Sequence, residues 1–543
     1  MSKNYLDYFP YQTAREEQKQ AIEFGIDAFI KSKKRFVILE CGTGVGKSAI
    51  GLTLSSYIQK LIPHHPSIEY EEGTYFVTTQ KILQKQYETD FGHENGDMKS
   101  IYSSSNYDCK YFRSNTCKET AEMMGSMTKA ENPALFKCCG GIGCTYKKAK
   151  SDFLMSAESV TNFAYFLTEA TFSGKITPRK VLVIDEAHNT EAVLSNFVDI
   201  SISQFFAEKI VGVKFPERIT NVSFVKWVSS TYLSKLIGKT KHLEIKIDSM
   251  EGASSREIKS LVKRYQMMKS HLSKIQNFIK NYDSSNWVME KEETEKRGYL
   301  KILYRAVDVS SYAEEYLFRL GQKVVLMSAT ILNAKALARS LGINEGDYET
   351  ISIASPFPKE NRPIMAVPIG SMSRANIDKT LPKLGNAIKE ILEQHKGQKG
   401  IIHTHTYKIA NYIKYSVKDK RILTHTSENR DEILALHMSS KEPTVLLSPS
   451  MTEGVDLKGV LSEFQVICKV PYPWLGDQIV KKRMNKFKGW YSLQTAKTIV
   501  QSVGRSIRSE TDKAPTYILD ADFGRFYSRN LEMFSADFKG LIS

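Results

Sequence analysis

The 543-residue chain is most informative first for what it lacks. No stretch approaches 18 uninterrupted apolar residues, which excludes a membrane-spanning helix. The N-terminal MSKNYLDYFPYQTAREEQ has no apolar core and no cleavage signal, so nothing points to secretion and a cytoplasmic location is expected. Pro- or Gly-rich linkers, low-complexity tracts and repeats at solenoid spacing are all missing, which leaves compact domains. No acidic cluster extends either end, so an appended nuclease has no support. Acids are in deficit, 60 Asp+Glu against 76 Lys+Arg, for a net charge of +16. Such an excess attracts polyanions, although a solvated basic surface accounts for it equally well. Cysteine is scarce and uneven. Of seven, Cys41 and Cys468 stand alone, and Cys109, Cys117, Cys138, Cys139 and Cys144 fall within 36 residues. In a reducing compartment that clustering favours metal over disulfides.

What is present is a globular composition, 41% apolar and 25% charged, at a length that predicts about three or four folded units. Short apolar, β-branched runs alternate with helical patterns in two regions. The first offers strands at 35–40, 74–79, 180–186 and 323–330; the second at 363–368, 400–406, 444–450, 464–470 and 515–522. Such runs with helices between them predict two tandem α/β domains with buried parallel strands and helices on both faces. Two stretches interrupt the first domain: the cysteine-rich segment, about 100–150, and a longer insertion, about 200–300. In the latter, Ile258, Leu261, Val262, Tyr265, Met268, Leu272, Ile275 and Phe278 recur at helical spacing. The opposite face is basic (Arg256, Lys259, Lys263, Arg264, Lys269, Lys274, Lys280). A core-packing helix with a solvated face is the plainer reading.

The strand at 35–40 runs into Cys41-Gly42-Thr43-Gly44-Val45-Gly46-Lys47-Ser48, and a helical pattern follows. In that setting glycines let backbone N–H groups converge on phosphate oxygens at a helix N-terminus. Lys47 is expected to reach the β/γ-phosphates and Ser48 to ligate Mg²⁺. The usual first Gly of such a loop is here Cys41, which leaves the loop intact if only a small residue is needed. Asp185-Glu186-Ala187-His188 closes another strand, placing one carboxylate for Mg²⁺ and the next to polarise a water. Together the two motifs indicate nucleoside triphosphate hydrolysis. Gln501, Arg505 and Arg508 lie in QSVGRSIR on a helix predicted over 492–508, which puts both guanidinium groups on one face. His403 and His405 alternate along a strand and read as packing rather than metal ligation.

As a set, these motifs resemble superfamily 2 helicases. The glycine loop, DEAH, SAT (328–330) and QSVGRSIR are similar to motifs I, II, III and VI, and cysteines between motifs Ia and II narrow the likeness to the XPD/DinG-like iron–sulfur branch. Arg15-x-x-Gln18, VTTQKILQKQ (77–86), VTNFAYFL (160–167), MTEGVDLKG (451–459), VPYPWLGD (470–477) and ILDAD (518–522) resemble further family segments, in the family order. The resemblance implies two tandem RecA-like P-loop domains with an iron–sulfur insertion and a helical Arch-like insertion in the first. The implied boundaries are 1–100, 151–200 and 301–345 for motor domain 1, 101–150 for the cluster, 201–300 for the Arch and 346–543 for motor domain 2.

It further implies Lys47, Asp185, Glu186, Arg505 and Arg508 as catalytic residues. Arg15, Gln18, Gly42, Thr43, Gly44, Gly46, Lys47, Ser48, Gly454, Asp456 and Gln501 would hold ATP, and Ser48 and Asp185 would hold Mg²⁺. His188, Ser328 and Thr330 would couple hydrolysis to DNA. A monomer moving 5′→3′ on single-stranded and forked DNA is expected, with RNA–DNA hybrids or protein–DNA complexes as neighbouring substrates. Four thiolates can hold Zn²⁺ or [4Fe–4S]. The segment lacks the paired C-x₂₋₄-C spacing of zinc sites. Cys144-Thr-Tyr-Lys-Lys-Ala-Lys and Tyr107-Asp108-Cys109 resemble the family's last and first ligands, with Cys117 between. Cys138 and Cys139 compete for the remaining place. A zinc-stabilised binding module without turnover is the reading from a different class.

Overall fold

The computed structural model describes residues 4–543 apart from 93–96, 113, 125–142, 250–254, 294–297, 452–456 and 458; side chains at 122–124 and 255–260 are likewise outside the description. The chain opens with β1 (Phe36–Cys41), β2 (Glu71–Thr78), β3 (Lys99–Ser100), β4 (Glu158–Asn162) and β5 (Arg179–Asp185). It then makes β6 (Ile200–Ser203), β7 (Trp287–Glu293) and β8 (Leu300–Ala306) before returning with β9 (Gly321–Ser328) and β10 (Tyr348–Ile353). The second half carries β11 (Ile364–Gly370), β12 (Gly400–His403), β13 (Ile422–Thr424), β14 (Val445–Ser448), β15 (Phe464–Ile467) and β16 (Thr516–Asp520).

Two parallel sheets result, ordered β10-β1-β9-β5-β2-β4-β3 and β11-β16-β15-β12-β14-β13. The α/β fold with parallel sheets predicted from the apolar runs is therefore observed. Period-2 alternation makes the first sheet's two cores. Phe36 and Ile38 of β1 face one buried cluster, Val37 and Leu39 the other. Strand β5 is buried at every residue, Arg179 and Lys180 included. Arg179 offsets that cost by donating to Thr74 O, Ser159 Oγ and Leu154 O while lying 4.1 Å from the Tyr75 ring centroid. Leu154 belongs to the helix Thr145–Met155 that follows Cys144, so this guanidinium fastens the last turn of that helix to the sheet.

Sequence patterning missed β4 and β10, the first because VTNFAYFL continues from strand into the helix Phe163–Thr168. It also missed that the insertion expected to be helical carries a three-stranded antiparallel sheet, β6-β8-β7. The helix Ser255–Lys280 does lie there, with Met268, Ile275 and Phe278 buried. Its core is continuous with one face of the first parallel sheet, and the Phe278 ring packs 5.0 Å from Trp287 and 4.8 Å from Tyr304. The basic face is narrower than the spacing suggested. Lys274 turns inward and donates to Phe197 O at 2.8 Å, while Lys263, Arg264, Lys269 and Lys280 are exposed.

The helix Gln478–Lys486 of the second half docks on this insertion. Arg483, almost fully buried, donates to Val307 O (2.9 Å), Ala306 O (3.2 Å) and Ser195 Oγ (3.2 Å) and pairs with Glu191 at 3.3 Å. Around it, Lys486 pairs with Asp308 at 3.0 Å and Arg305 with Asp477 at 3.3 Å.

Candidate functional site

The strand order brings the carboxyl ends of β1, β9 and β5 side by side, the edge at which open α/β sheets bind ligands. After β1 the chain turns through Gly42–Gly46 into the helix Lys47–Leu61, whose first N–H groups have no intrahelical partner. Gly44 and Gly46 both sit at φ +88°, in the left-handed region that favours glycine. A Cβ on Gly46 would lie 2.5 Å from the Gln18 amide nitrogen, and one on Gly44 would enter the Phe357 ring. Arg15 Nη2 donates to the carbonyls of Gly44 (2.7 Å) and Val45 (3.0 Å), and Gln18 Nε2 donates to Val45 O at 3.0 Å. Arg15 and Gln18 therefore brace the loop through its carbonyls, while the N–H groups of Gly42 and Val45 bond to Ile353 O and Gly42 O. Burial pushes the Cys41 thiol up to about 12, which suits a packing residue.

Asp185 ends β5 two strands from β1, with β9 between, rather than on the adjacent strand. Its Oδ2 accepts from the Tyr87 hydroxyl at 3.1 Å and its Oδ1 from the Glu186 N–H at 2.9 Å. Tyr87 is also hydrogen-bonded to Ser48, so a single buried phenol joins the two expected Mg²⁺ ligands. Burial, then the Glu186 charge, pushes the Asp185 carboxyl up to about 6, against the pull of Lys47. Glu186 follows in left-handed backbone, φ +54° and ψ +45°, a strain on the order of 1–3 kcal/mol for a residue with a Cβ. Burial pushes its carboxyl up, but the hydrogen bond and charge of His188, with Lys47 and Arg505, hold it below the usual range.

Those contacts form a chain. Gln501 Nε2 lies 2.6 Å from His188 Nε2, His188 Nδ1 2.6 Å from Ser328 Oγ, and Ser328 Oγ donates to Glu186 Oε2 at 3.2 Å. With the amide donating to Nε2, the His188 Nδ1–H points at Ser328 Oγ, with Glu186 Oε2 3.3 Å away. Thr330 Oγ1 stands 3.3 Å from the same nitrogen. His188 of the DEAH turn thus joins the SAT segment at the end of β9 to a helix of the second half.

That helix, Trp490–Val503, stops five residues short of the predicted end. Gly504 caps it, donating to Val500 O at 3.1 Å, as expected where the poorest non-proline helix former meets the last turn. Arg505 and Arg508 are therefore not on one helical face. They come from the turn beyond, where Asp512 Oδ2 accepts from the N–H groups of Arg508 (2.7 Å) and Ser509 (2.8 Å).

Both arginines nevertheless line one cavity of about 500 Å³ with Gly42, Thr43, Lys47 and Glu186. His188, Thr330, Gln501 and Gly504 complete its middle. Ser48 and Asp185 lie behind this surface, and Arg15, Gln18, Gly44 and Gly46 are not among the lining residues. Gly454 and Asp456 fall outside the described residues. Pattern reading missed Tyr87, and it missed a further wall made by Ser355, Phe357 and the C-terminal residues Glu532, Phe534 and Phe538. A tyrosine on the first helix after β2 and the SPFP turn after β10 were the available signals.

The thiols of Cys109, Cys117 and Cys144 line one small void of about 10 Å³ with Thr120. Burial raises the Cys109 thiol, but donors from Thr120, Phe112 and Tyr111 bring it below its ordinary value. Among the described residues no group of three His, Cys, Asp or Glu is assembled to hold a metal ion. Cys138 and Cys139 lie outside the description. Buried His403 and half-buried His405 stack at 6.1 Å, with no third ligand grouped with them among the described residues. No helix among the described residues is long and apolar enough to cross a membrane.

Comparison with known proteins agrees with this layout. A model of the helicase C-terminal domain matches residues 388–536, and a model of the type III restriction enzyme res subunit matches 12–213. The chain is similar to a probable ATP-dependent helicase of Methanocaldococcus jannaschii, 23% identical over 97% of this chain and 94% of that one. It is also similar to the ATP-dependent DNA helicase DinG of Photobacterium profundum, 26% identical over 44% and 37% of the two chains. Among solved structures an XPD helicase shares the fold at TM-score 0.62, 16% identical, over 96% of this chain and 98% of that one. Xpd4 of S. tokodaii does so at 0.56 and 14%, over 97% and 99%.

Proposed function

We propose that this chain, an XPD/DinG-like superfamily 2 helicase, couples ATP hydrolysis between its two parallel-sheet halves to 5′→3′ movement along single-stranded DNA, opening forked duplexes. The observation that carries the reading is the chain Glu186–Ser328–His188–Gln501, which ties the expected base of hydrolysis in one half to a helix of the other. In this scheme Lys47 and the loop N–H groups bind the phosphates. Glu186, held ionised, takes a proton from the attacking water, and Arg505 and Arg508 stabilise charge developing on the γ-phosphoryl group. Ser48 and Asp185, both joined to Tyr87, would hold Mg²⁺, which supplies charge neutralisation along the triphosphate.

DNA is proposed as the track because a relative bears the name of a DNA helicase and because +16 suits a phosphate backbone. Cys109, Cys117 and Cys144, with Cys138 or Cys139, would hold a [4Fe–4S] cluster, which supplies a rigid cross-link. The donor set fits, since three thiols already share one void. RNA–DNA hybrids and protein–DNA complexes are substrates of the same motor reading.

The test is ATP hydrolysis with and without single-stranded DNA, with Lys47→Ala as the control, followed by unwinding of forks bearing a 5′ or a 3′ tail. Stimulation by DNA that Lys47→Ala abolishes, and preference for the 5′ tail, are expected. No stimulation refutes the motor. A colourless anaerobic preparation with stoichiometric zinc refutes the cluster.

A further inference from the structure

The chain passes from the first parallel sheet to the second between Ile353, the last residue of β10, and Ile364, the first of β11. The turn in that crossing is fastened to both halves. Toward the first half its backbone lies directly on the glycine loop. A Cβ on Gly42 would stand 2.5 Å from Ser355 N, Gly42 N donates to Ile353 O at 2.9 Å, and the Ser355 hydroxyl donates to Thr43 O at 2.7 Å. Toward the second half, Arg362 donates to Phe357 O at 3.1 Å and pairs with both Asp537 oxygens, at 3.1 and 3.0 Å.

The Phe357 ring, almost fully buried, stands between these anchors. It abuts Gly44, where an added Cβ would enter the ring, and it packs in one small apolar cluster with Ile507 and Ala514. Ile507 sits between Arg505 and Arg508 in the turn beyond the helix Trp490–Val503. Helix geometry therefore does not fix where those guanidinium groups point. Asp512 closes the turn on itself, and the ring fixes its distance from the glycine loop. Close-packed side chains compress little, so a ring wedged between two backbones keeps a spacing that a smaller, more adjustable side chain would let shrink.

We infer that Phe357 is a positioning residue, a wedge between the glycine loop and the Arg505–Arg508 turn that sets how far both guanidinium groups reach toward the γ-phosphoryl group. The inference rests on the proposed role of those arginines, and the experiment separates the two. Single-turnover ATP hydrolysis with Mg²⁺ and single-stranded DNA, and ATP affinity by calorimetry, are measured on the full chain. A misplacement of about 1 Å costs about 10²-fold in rate. Phe357→Ala is therefore expected to slow hydrolysis about 30- to 100-fold while ATP affinity changes less than about threefold. Ile507→Ala is expected to slow it about tenfold, and the double variant no more than about threefold beyond Phe357→Ala, since both act through one contact. Phe357→Leu, which keeps most of the bulk, should lose about threefold and decides the matter if the Ala chain does not fold. The parent rate in Phe357→Ala, or in Phe357→Leu where the Ala chain does not fold, overturns the inference. So do losses that multiply in the double variant, or a loss of ATP affinity equal to the loss of rate. Arg505→Ala at the parent rate overturns the arginine role beneath it.

Discussion

Replacing Arg483 by Ala would remove a heavily bonded contact between the second half and the first-half residues Glu191, Ser195, Ala306 and Val307 that flank the insertion. The guanidinium makes three hydrogen bonds and one ion pair, all at 2.9–3.3 Å. Its partner Glu191 has a side chain only 13% exposed, so truncation strands a mostly buried carboxylate and two carbonyls. Breaking a buried pair from one side costs about 3–5 kcal/mol, most of it the penalty on the charge left behind. Local opening of the docked helix should become about 10²- to 10⁴-fold more frequent.

Hydrogen exchange reads this directly, through faster exchange of the backbone amides of 300–308 and 478–487, while the center of the first sheet keeps its protection. A charge-free replacement, Arg483→Met with Glu191→Leu, removes both ions and should recover most of the loss, giving a coupling energy of about 2 kcal/mol or more. Loss under 1 kcal/mol in Arg483→Ala, or a double variant equal to the sum of its singles, would refute the claim that this pair holds the halves together.

Three other expectations follow from the site. Gln501→Ala should lower kcat about tenfold with KM for ATP nearly unchanged, since it cuts the link to His188 across the cleft; a pure KM effect would contradict that role. Gly44→Ala should abolish ATP binding in calorimetry, because its φ of +88° and the Phe357 ring both exclude a Cβ; parent-like affinity would contradict it. Burial pushes the Asp199 carboxyl up to about 6, offset in part by the Ala306 N–H and the Arg305 and Arg483 charges. A carboxyl raised on folding costs nothing below about pH 4, progressively more to pH 6, and a constant amount above. Asp199→Asn should therefore gain about 2 kcal/mol at pH 7.5 and nothing at pH 4 in thermal unfolding; an equal gain at both would reject the argument.

Strands that are buried on both faces announced themselves as apolar runs, which is why β1, β5, β9, β12, β14 and β15 were readable along the chain, whereas the three-residue edge strand β13 was not. Strands of mixed character were not: β10 (YETISI) alternates at an edge, and β7 (WVMEKEE) reads as charged because its outer half faces solvent. Loop chemistry was legible where geometry forces residue type, as at Gly44 and Gly46. What spacing could not supply was convergence. Tyr87 lies far along the chain from both Ser48 and Asp185, and only the fold shows that one phenol joins them. The helix predicted to 508 ends at Val503 for a local reason, since Gly504 is a poor helix former and caps the last turn.

Glu186 carries one last consequence, for selection. Its left-handed backbone is a standing debt in stability that glycine at this position would cancel, at the loss of the carboxylate. Robustness and turnover thus pull on the same residue in opposite directions. Variants chosen only for surviving heat should accumulate at 186, folded better than the parent and inert.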